Sequence, residues 1–135
     1  MAIKVCGSWE FGWDTPIKEH DRWCFGLQDF GVDEWIMYPI TGIRSEYVTE
    51  FETLEEVIAA NPTMTPVFVV ENGEIESKDF NPPENPLYIL GKASSNPWAG
   101  KYANELSVRI DTPFQKGGLW ADQAIFIILR DRQWQ

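Results

Sequence analysis

Short apolar runs and longer segments with helical spacing alternate along this chain. Five runs have the length and the flanking turn residues of buried strands. They are IKVCG (3–7), EWIMYPI (34–40), TPVFVVENG (65–73, with a turn at Asn72-Gly73), NPLYILG (85–91) and LSVRI (106–110). Their apolar centres, such as VFVV and LYIL, are typical of strands covered on both faces.

The segment after Pro16 predicts the first helix. A proline suits the first turn of a helix, and Gly31 is a natural stop. The apolar residues between them are expected roughly on one helical side, and they are Ile17, Trp23, Phe25, Leu27 and Phe30.

A second, shorter helix is predicted by the segment TLEEVIAAN. Thr53 is followed three residues later by Glu56, which is the spacing of a capping box. The apolar residues of this segment then share one face, and they are Leu54, Val57 and Ile58.

The segment from Leu119 onward is apolar almost all round. The stretch AIFIIL inside it could form a strand, but the length of the segment favours a helix. Arg130 and Arg132 would lie in its last turn, where cations are favourable. We therefore predict a buried C-terminal helix.

Strands that alternate with helices predict an α/β fold with a mostly parallel sheet and helices on both faces. The 135 residues are the length of one domain, so we expect a single domain over 1–135. In open sheets of this kind, ligands bind beyond the carboxyl ends of the strands. Gly91 follows the strand YIL at such an end, where a missing side chain would let a ligand approach the backbone, unless the glycine merely ends the strand.

Charge and cysteine content restrict the function further. The net charge is −10, and residues 1–100 alone carry six Lys/Arg against seventeen Asp/Glu, so a general nucleic-acid binder is disfavoured. Cys6 and Cys24 lack CxxC spacing and are expected to be free thiols of an intracellular, cytoplasmic protein. The single histidine, His20, is expected on the surface, and we predict no metal site.

The order of motifs in the C-terminal half resembles the SPOUT superfamily of knotted methyltransferases, in its SpoU (TrmH-like) branch. LYILGKASSN is similar to the family's strand and glycine loop, and Ile110 and Leu119 match its next strand end and the turn that opens its last helix. Upstream, CFGLQDFGVDEWIMYPITG and PVFVVENG are similar to its first helix and strands. The resemblance extends over 16–132.

This resemblance implies a deep trefoil knot and S-adenosylmethionine held by backbone atoms. The cofactor-binding positions that it implies are Leu90, Gly91, Ile110 and Leu119. It also implies a homodimer formed through the first and last helices, and RNA, either tRNA or rRNA, as the methyl acceptor at a ribose 2′-hydroxyl.

The polar residues of the family's catalytic motifs are replaced in this chain. The arginine of the first helix would fall on Phe25, and the remaining positions fall on Glu19, Ala93, Gly118 and Trp120. Arg22 lies about one helical turn before Phe25 and is the candidate for the catalytic role, or else a solvated surface residue.

Two alternatives follow from these replacements. The chain could be a catalytically degenerate binding or scaffold protein of the same fold, acting as a homodimer. It could also be a small acidic protein that engages a partner through exposed tryptophans. Arg109 and Lys116 could hold a phosphate, although ordinary surface charge explains them equally well.

Overall fold

The computed structural model describes residues 2–8, 16–40, 45–70, 73–90, 106–113 and 121–133. Within these ranges the strands are β1 (Lys4–Ser8), β2 (Glu34–Tyr38), β3 (Val48–Glu50), β4 (Thr65–Val69), β5 (Ile75–Glu76), β6 (Pro86–Leu90) and β7 (Leu106–Arg109). The helices are α1 (Pro16–Asp29), α2 (Leu54–Ala60) and α3 (Ala121–Arg132), and a short 3₁₀ helix covers Ser77–Asp79.

The seven strands form one sheet in the order β3-β2-β1-β6-β4-β7-β5. Each pair of neighbouring strands is parallel. The prediction of a parallel sheet is therefore confirmed, and the five predicted strands are all present. The short strands β3 and β5 at the two edges were not predicted, because three and two residues are too few to show a hydrophobic period.

Helices cover both faces of the sheet, as predicted. On one face, α1 and α3 pack on the strands through residues such as Leu27, Ile125 and Leu129. On the other face, Leu54 and Val57 of α2 pack against a separate, mostly aliphatic cluster. Alternate side chains of each central strand supply the two clusters, as the pleat of a strand requires.

Helix α1 follows its prediction in length but not in its buried face. It begins at Pro16, and Gly31 adopts a φ of 76°, which suits the glycine just beyond a helix. Trp23 and Leu27 are buried one turn apart, whereas Phe25 is 64% exposed. The prediction that Phe25 lies on one helical side with Trp23 and Leu27 is therefore wrong, because two residues along a helix turn the side chain through about 200°.

The capping box before α2 is confirmed, with one difference in its return bond. Thr53 Oγ1 accepts from the backbone N–H of Glu56 at 3.2 Å. The Glu56 carboxylate accepts from the N–H of Glu52 at 3.3 Å, one residue before the expected donor. Leu54 and Val57 are buried, and Ile58 is partly buried.

The C-terminal segment forms a helix, as predicted, but α3 is not buried on every side. Ile125, Ile128 and Leu129 are buried, whereas Ile127 is 37% exposed. Helix α3 crosses α1 closely, since a Cβ built on Gly26 would lie 2.4 Å from Cζ of Phe126. The two helices thus form one layer whose outer side keeps Phe25 and Ile127 exposed.

Candidate functional site

The carboxyl ends of the central strands meet at one edge of the sheet, because all the strands are parallel. Leu90 ends β6 and pairs with Val69, the last residue of β4. Val69 also pairs with Val108 of β7, two residues before Ile110. Leu90 and Ile110 therefore flank the end of β4 on opposite sides, which brings two of the four predicted cofactor positions to one edge.

Gly91 and Leu119, the other two predicted cofactor positions, lie outside the described residues. The same is true of Ala93, Gly118 and Trp120, on which the resemblance would place residues of the family's catalytic motifs. The path of the chain through the predicted knot also runs through these segments, so the knot stays a prediction.

The side chains around this edge are aliphatic. Leu90 and Val69 are buried, and Ile110 is partly buried against the same cluster, whereas Val70 is buried in the cluster on the other face of the sheet. Adenine is a flat ring system with apolar faces, and the polar atoms at its edge can be bound by backbone N–H and C=O groups. An edge of aliphatic side chains and strand-end backbone is therefore a chemical fit for the adenine part of S-adenosylmethionine.

After β4, the backbone of Val70 and of Gly73 lies directly against β7. The N–H of Val70 donates to the carbonyl of Val108 at 3.1 Å, and the N–H of Gly73 donates to the carbonyl of Val70 at 3.2 Å. A Cβ built on Gly73 would lie 2.5 Å from the carbonyl carbon of Val108. Only glycine leaves room for this approach, so the backbones of the two segments are in direct contact.

Arg109, the last residue of β7, binds the backbone at Gly73 and Glu74. Its Nη1 donates to the carbonyl oxygens of Gly73 and Glu74, each at 2.9 Å. Its Nε donates to Oδ1 of Asp111 at 3.0 Å. The guanidinium is therefore engaged in hydrogen bonds within the protein, which argues against the phosphate site considered for Arg109 and Lys116. Lys116 lies outside the described ranges.

A buried carboxylate holds the backbone on the other side of Ile110. Glu76 is 9% exposed, and its Oε1 accepts from the backbone N–H of Asp111 at 3.3 Å. Its Oε2 accepts from the N–H of Lys78 at 2.6 Å, which closes the turn into the 3₁₀ helix. This role of Glu76 was not predicted, and its signal in the sequence is weak, because a single glutamate in an acidic chain is unremarkable.

The same segment is also joined to α3. Ser77, which is 2% exposed, donates through its hydroxyl to Oδ2 of Asp131 at 2.7 Å. We call residues 73–79 the edge segment, since they run from the turn after β4 to the end of the 3₁₀ helix. The edge segment contacts the end of β7 at one side and the last turns of α3 at the other.

Arg22, the predicted catalytic candidate, lies on α1 with an exposed side chain. It is part of a helix that packs on the face of the sheet, whereas Leu90 and Ile110 belong to the strand ends. Phe25, on which the resemblance would place the family's arginine, is on the outer side of the same helix. The described residues do not test the catalytic role of Arg22, and that role stays a prediction.

A second group of titratable residues surrounds Cys24 on α1. Its Sγ lies 3.4 Å from Nε2 of His20, whose Nδ1 lies 3.1 Å from Oδ1 of Asp21. Burial, with a smaller contribution from Asp21, raises the pKa of Cys24 to about 11. The sulfur therefore stays a neutral thiol near pH 7 and is a poor nucleophile.

His20 is more enclosed than predicted. Its ring is 5.9 Å from that of Trp35, centre to centre, and its side chain is 17% exposed. Trp23 stacks on Trp35 at 5.3 Å, so this tryptophan packs in the core. Cys6 and Cys24 are both free and buried. Burial raises the pKa of the Cys6 thiol as well.

The part of the chain that the structure describes was expected to show a cluster of ligands if it bound a metal ion, and a long apolar helix if it crossed a membrane. Among those residues there is no group of three or more His, Cys, Asp or Glu side chains that could hold a metal ion. None of the helices found there is long and apolar enough to cross a membrane.

No family model matches the sequence, and no curated protein matches it in sequence. Solved structures, in contrast, match nearly the whole chain. It is similar to the SpoU methyltransferase AviRb from Streptomyces viridochromogenes in complex with AdoMet, at 15% identity and a TM-score of 0.74, over 97% of this chain and 56% of that one. It is also similar to the TrmH/SpoU tRNA-modifying enzyme of A. aeolicus, at 12% identity and a TM-score of 0.72, over 98% of this chain and 74% of that one.

A third match differs little in length from this chain. The structure that concerns the 2-OH methylation of C/U34 on tRNA is 9% identical, with a TM-score of 0.72, over 98% of this chain and 94% of that one. The chain thus spans little more than half of AviRb but nearly all of this third protein. At these identities the matches establish the fold, which is that of the SpoU methyltransferases.

Proposed function

We propose that this protein binds S-adenosylmethionine at the carboxyl ends of β4, β6 and β7 and transfers its methyl group to a ribose 2′-hydroxyl of RNA. The observation that carries the proposal is the fold. A parallel sheet of this strand order matches SpoU methyltransferases over nearly the whole chain, and one of the matched structures is a complex with AdoMet. We take the whole chain, 1–135, as the single domain that does this.

The cofactor would be bound mainly by backbone. We assign Leu90, Gly91, Ile110 and Leu119 to it, with the aliphatic side chains at the strand ends against the adenine. When bound, S-adenosylmethionine supplies an electrophilic methyl group. The protein would have to exclude water, align the acceptor oxygen with that group and accept the hydroxyl proton.

Arg22 is our candidate for the residue that helps the ribose hydroxyl react. A guanidinium stabilises a developing oxyanion without giving up its own proton, because its pKa is far above neutral. Arg22 would take this role in place of the family's arginine, whose position holds Phe25. If catalysis has been lost with that replacement, the protein is a cofactor-binding scaffold of the same fold.

Homodimerisation through α1 and α3 is part of the proposal. Phe25 and Ile127 leave apolar surface exposed on the outer side of the two helices, at 64% and 37% exposure. A second copy that covers this layer would bury both side chains. We place the protein in the cytoplasm, in keeping with its two free cysteines.

RNA binding has to overcome the net charge of −10. A chain this acidic gains little from the general attraction between basic proteins and phosphates, so we expect a restricted contact with one tRNA or rRNA element. Such contacts show a shallow dependence on salt concentration, because few counterions are released.

Isothermal titration calorimetry with S-adenosylmethionine tests the first half of the proposal. Binding at micromolar concentration is the expected result, and the same titration with ATP is the control for general adenosine affinity. Absence of binding to the cofactor would exclude both the methyltransferase and the cofactor-binding scaffold.

Methyl transfer from labelled cofactor to unmodified tRNA and rRNA tests the second half. We expect incorporation into one of them and its loss in Arg22→Ala, with Gln28→Ala, another exposed residue of α1, as the matched control. Cofactor binding without incorporation would favour the scaffold, and unchanged incorporation in Arg22→Ala would remove Arg22 from the mechanism.

A further inference from the structure

The backbone of Ile110 lies beyond the last residue of β7 and is not held by the sheet. Strand β7 ends at Arg109, and its pairing with β5 also ends there. Beyond Arg109, hydrogen bonds with the edge segment hold the backbone in place of the sheet ladder. They attach to the residues on either side of Ile110, which are Arg109 and Asp111.

On the amino side of Ile110, the guanidinium of Arg109 forms a bridge. One nitrogen donates to two consecutive carbonyl oxygens of the edge segment, those of Gly73 and Glu74. Another nitrogen donates to the carboxylate of Asp111. The side chain of Arg109 thereby spans Ile110 and ties both of its neighbours to the turn after β4.

On the carboxyl side of Ile110, the backbone itself is bound. The N–H of Asp111 donates to the buried carboxylate of Glu76 at 3.3 Å. The edge segment is in turn fixed on β7 by the N–H of Glu74, which donates to Oγ of Ser107 at 2.9 Å. The backbone at Ile110 is thus held at a set position relative to the end of β4.

We propose that Arg109 is a positioning residue for the cofactor site: it holds the backbone of Ile110 at the place from which that backbone contacts the adenosine of S-adenosylmethionine. The inference rests on the proposed function for the identity of the ligand. Arg109 itself would touch neither cofactor nor acceptor. It would act by fixing the position of the main chain at Ile110.

Arg109→Gln tests the proposal, because glutamine removes the forked donors while keeping a polar side chain. We expect the Kd for S-adenosylmethionine, measured by calorimetry, to rise tenfold or more. Arg109→Lys keeps the charge, but its three N–H donors share one nitrogen and cannot reproduce the separate contacts of Nη1 and Nε, so we expect a rise of about threefold to fivefold.

Ser77→Ala is the matched control. It breaks the hydrogen bond to Asp131 at the other side of the same edge segment and leaves the contacts around Ile110 in place. We expect it to lower the melting temperature of the unliganded protein without changing the Kd by more than twofold.

Hydrogen exchange of the unliganded protein gives a readout that needs no cofactor. Amide exchange in residues 109–113 is expected to become faster in Arg109→Gln and to stay at the wild-type rate in Ser77→Ala. If both variants lose affinity in proportion to their loss of melting temperature, Arg109 is only structural and the inference is wrong.

The two proposals fail in different ways. A wild-type protein that does not bind S-adenosylmethionine overturns the proposed function and, with it, the ligand named here. A wild-type protein that binds, with an unchanged Kd or unchanged exchange in Arg109→Gln, overturns the positioning role alone. If Arg109→Gln does not fold, Arg109→Lys carries the same comparison against Ser77→Ala.

Discussion

Two close contacts in this protein depend on glycine, and they differ in what lies opposite. At the crossing of α1 and α3, a Cβ on Gly26 would meet the far end of the Phe126 ring at 2.4 Å. At the end of β7, a Cβ on Gly73 would meet the carbonyl carbon of Val108 at 2.5 Å and the nitrogen of Arg109 at 2.8 Å. The distances are nearly equal, but a ring can turn and a backbone in a sheet cannot.

The difference separates an adjustable layer from a rigid edge. The helix layer is built of large side chains, among which Phe126 lies 5.9 Å from Phe30 and 6.3 Å from Trp23, centre to centre. The sheet edge is built of backbone on backbone, fixed by hydrogen bonds. A binding site made of main-chain groups needs the second kind of construction, because its donors and acceptors cannot change rotamer to meet a ligand.

Gly73→Ala gives the largest expected effect. The added methyl group must displace the backbone of β7 or of the turn after β4, and we expect a loss of about 3 kcal/mol in the free energy of unfolding. Urea denaturation measures it, with Glu74→Ala, the exposed neighbour, as the control. A loss below about 0.5 kcal/mol would show that this edge is not rigid.

Gly26→Ala is expected to cost less, about 1 kcal/mol. The ring of Phe126 can move aside, and alanine recovers up to about 1 kcal/mol of helix propensity relative to glycine. The double variant with Phe126→Leu should be less destabilised than the sum of the two single variants, since leucine leaves room for the new methyl group. Equal losses for Gly26→Ala and Gly73→Ala would show that the helix crossing is as rigid as the sheet edge.

Much of this fold could be predicted from the sequence, because its longer strands and helices show a clear pattern of apolar residues. The apolar strand centres and the Thr53 capping box were sufficient to place five strands, α2 and the type of sheet. The shortest strands could not be found, since β5 is formed by pairing with Val108 and Arg109 rather than by a local preference.

The contacts of the candidate site were harder to predict from the sequence. Leu90 and Ile110 could be placed at one edge only through the family resemblance and the parallel topology. The contacts of Arg109 with residues 35 and 36 positions earlier in the chain have no local signature. Phe25 was misplaced for a simpler reason, since it was expected on the same helical side as Trp23, although two residues along a helix turn a side chain through about 200°.

Tyr88 of β6 packs in the same cluster as the buried residues of α1 and α3. It is fully buried in β6, and among the described residues its hydroxyl has no hydrogen-bond partner. We expect Tyr88→Phe to change the free energy of unfolding at pH 7 by less than about 1 kcal/mol, because no described hydrogen bond is lost. A loss above about 2 kcal/mol would mean that the hydroxyl has a partner.

The same residue should also make the protein sensitive to alkali. Burial raises the pKa of Tyr88 to about 12, with Arg132 acting in the opposite direction, from 10.0 for an ordinary tyrosine. A raised folded-state pKa stabilises the fold below pH 10, and this contribution is lost as the pH rises from 10 to 12. The slope should approach about 1.4 kcal/mol per pH unit. Tyr88→Phe should lower that slope, which urea titrations at several pH values can measure.

Phe25→Ser should have the smallest effect on stability, within about 0.5 kcal/mol, because the side chain is 64% exposed. Its expected effect is on assembly, since it removes apolar surface from the proposed dimer contact. Analytical ultracentrifugation should show a shift from dimer to monomer, and Gln28→Ser on the same helix is the control. An unchanged dimer in Phe25→Ser would place the contact elsewhere.

The pairing of β1 with β6 has a consequence for biosynthesis. Lys4 lies beside Leu87 in the central ladder, so β1 is synthesised well before the strand that covers its second edge. Nascent chains stopped before residue 86 would carry β1 with an open edge and an apolar surface, which is a state that associates readily with other chains. The central ladder is therefore expected to form only after β6 has been made, at the pace that such long-range pairing allows.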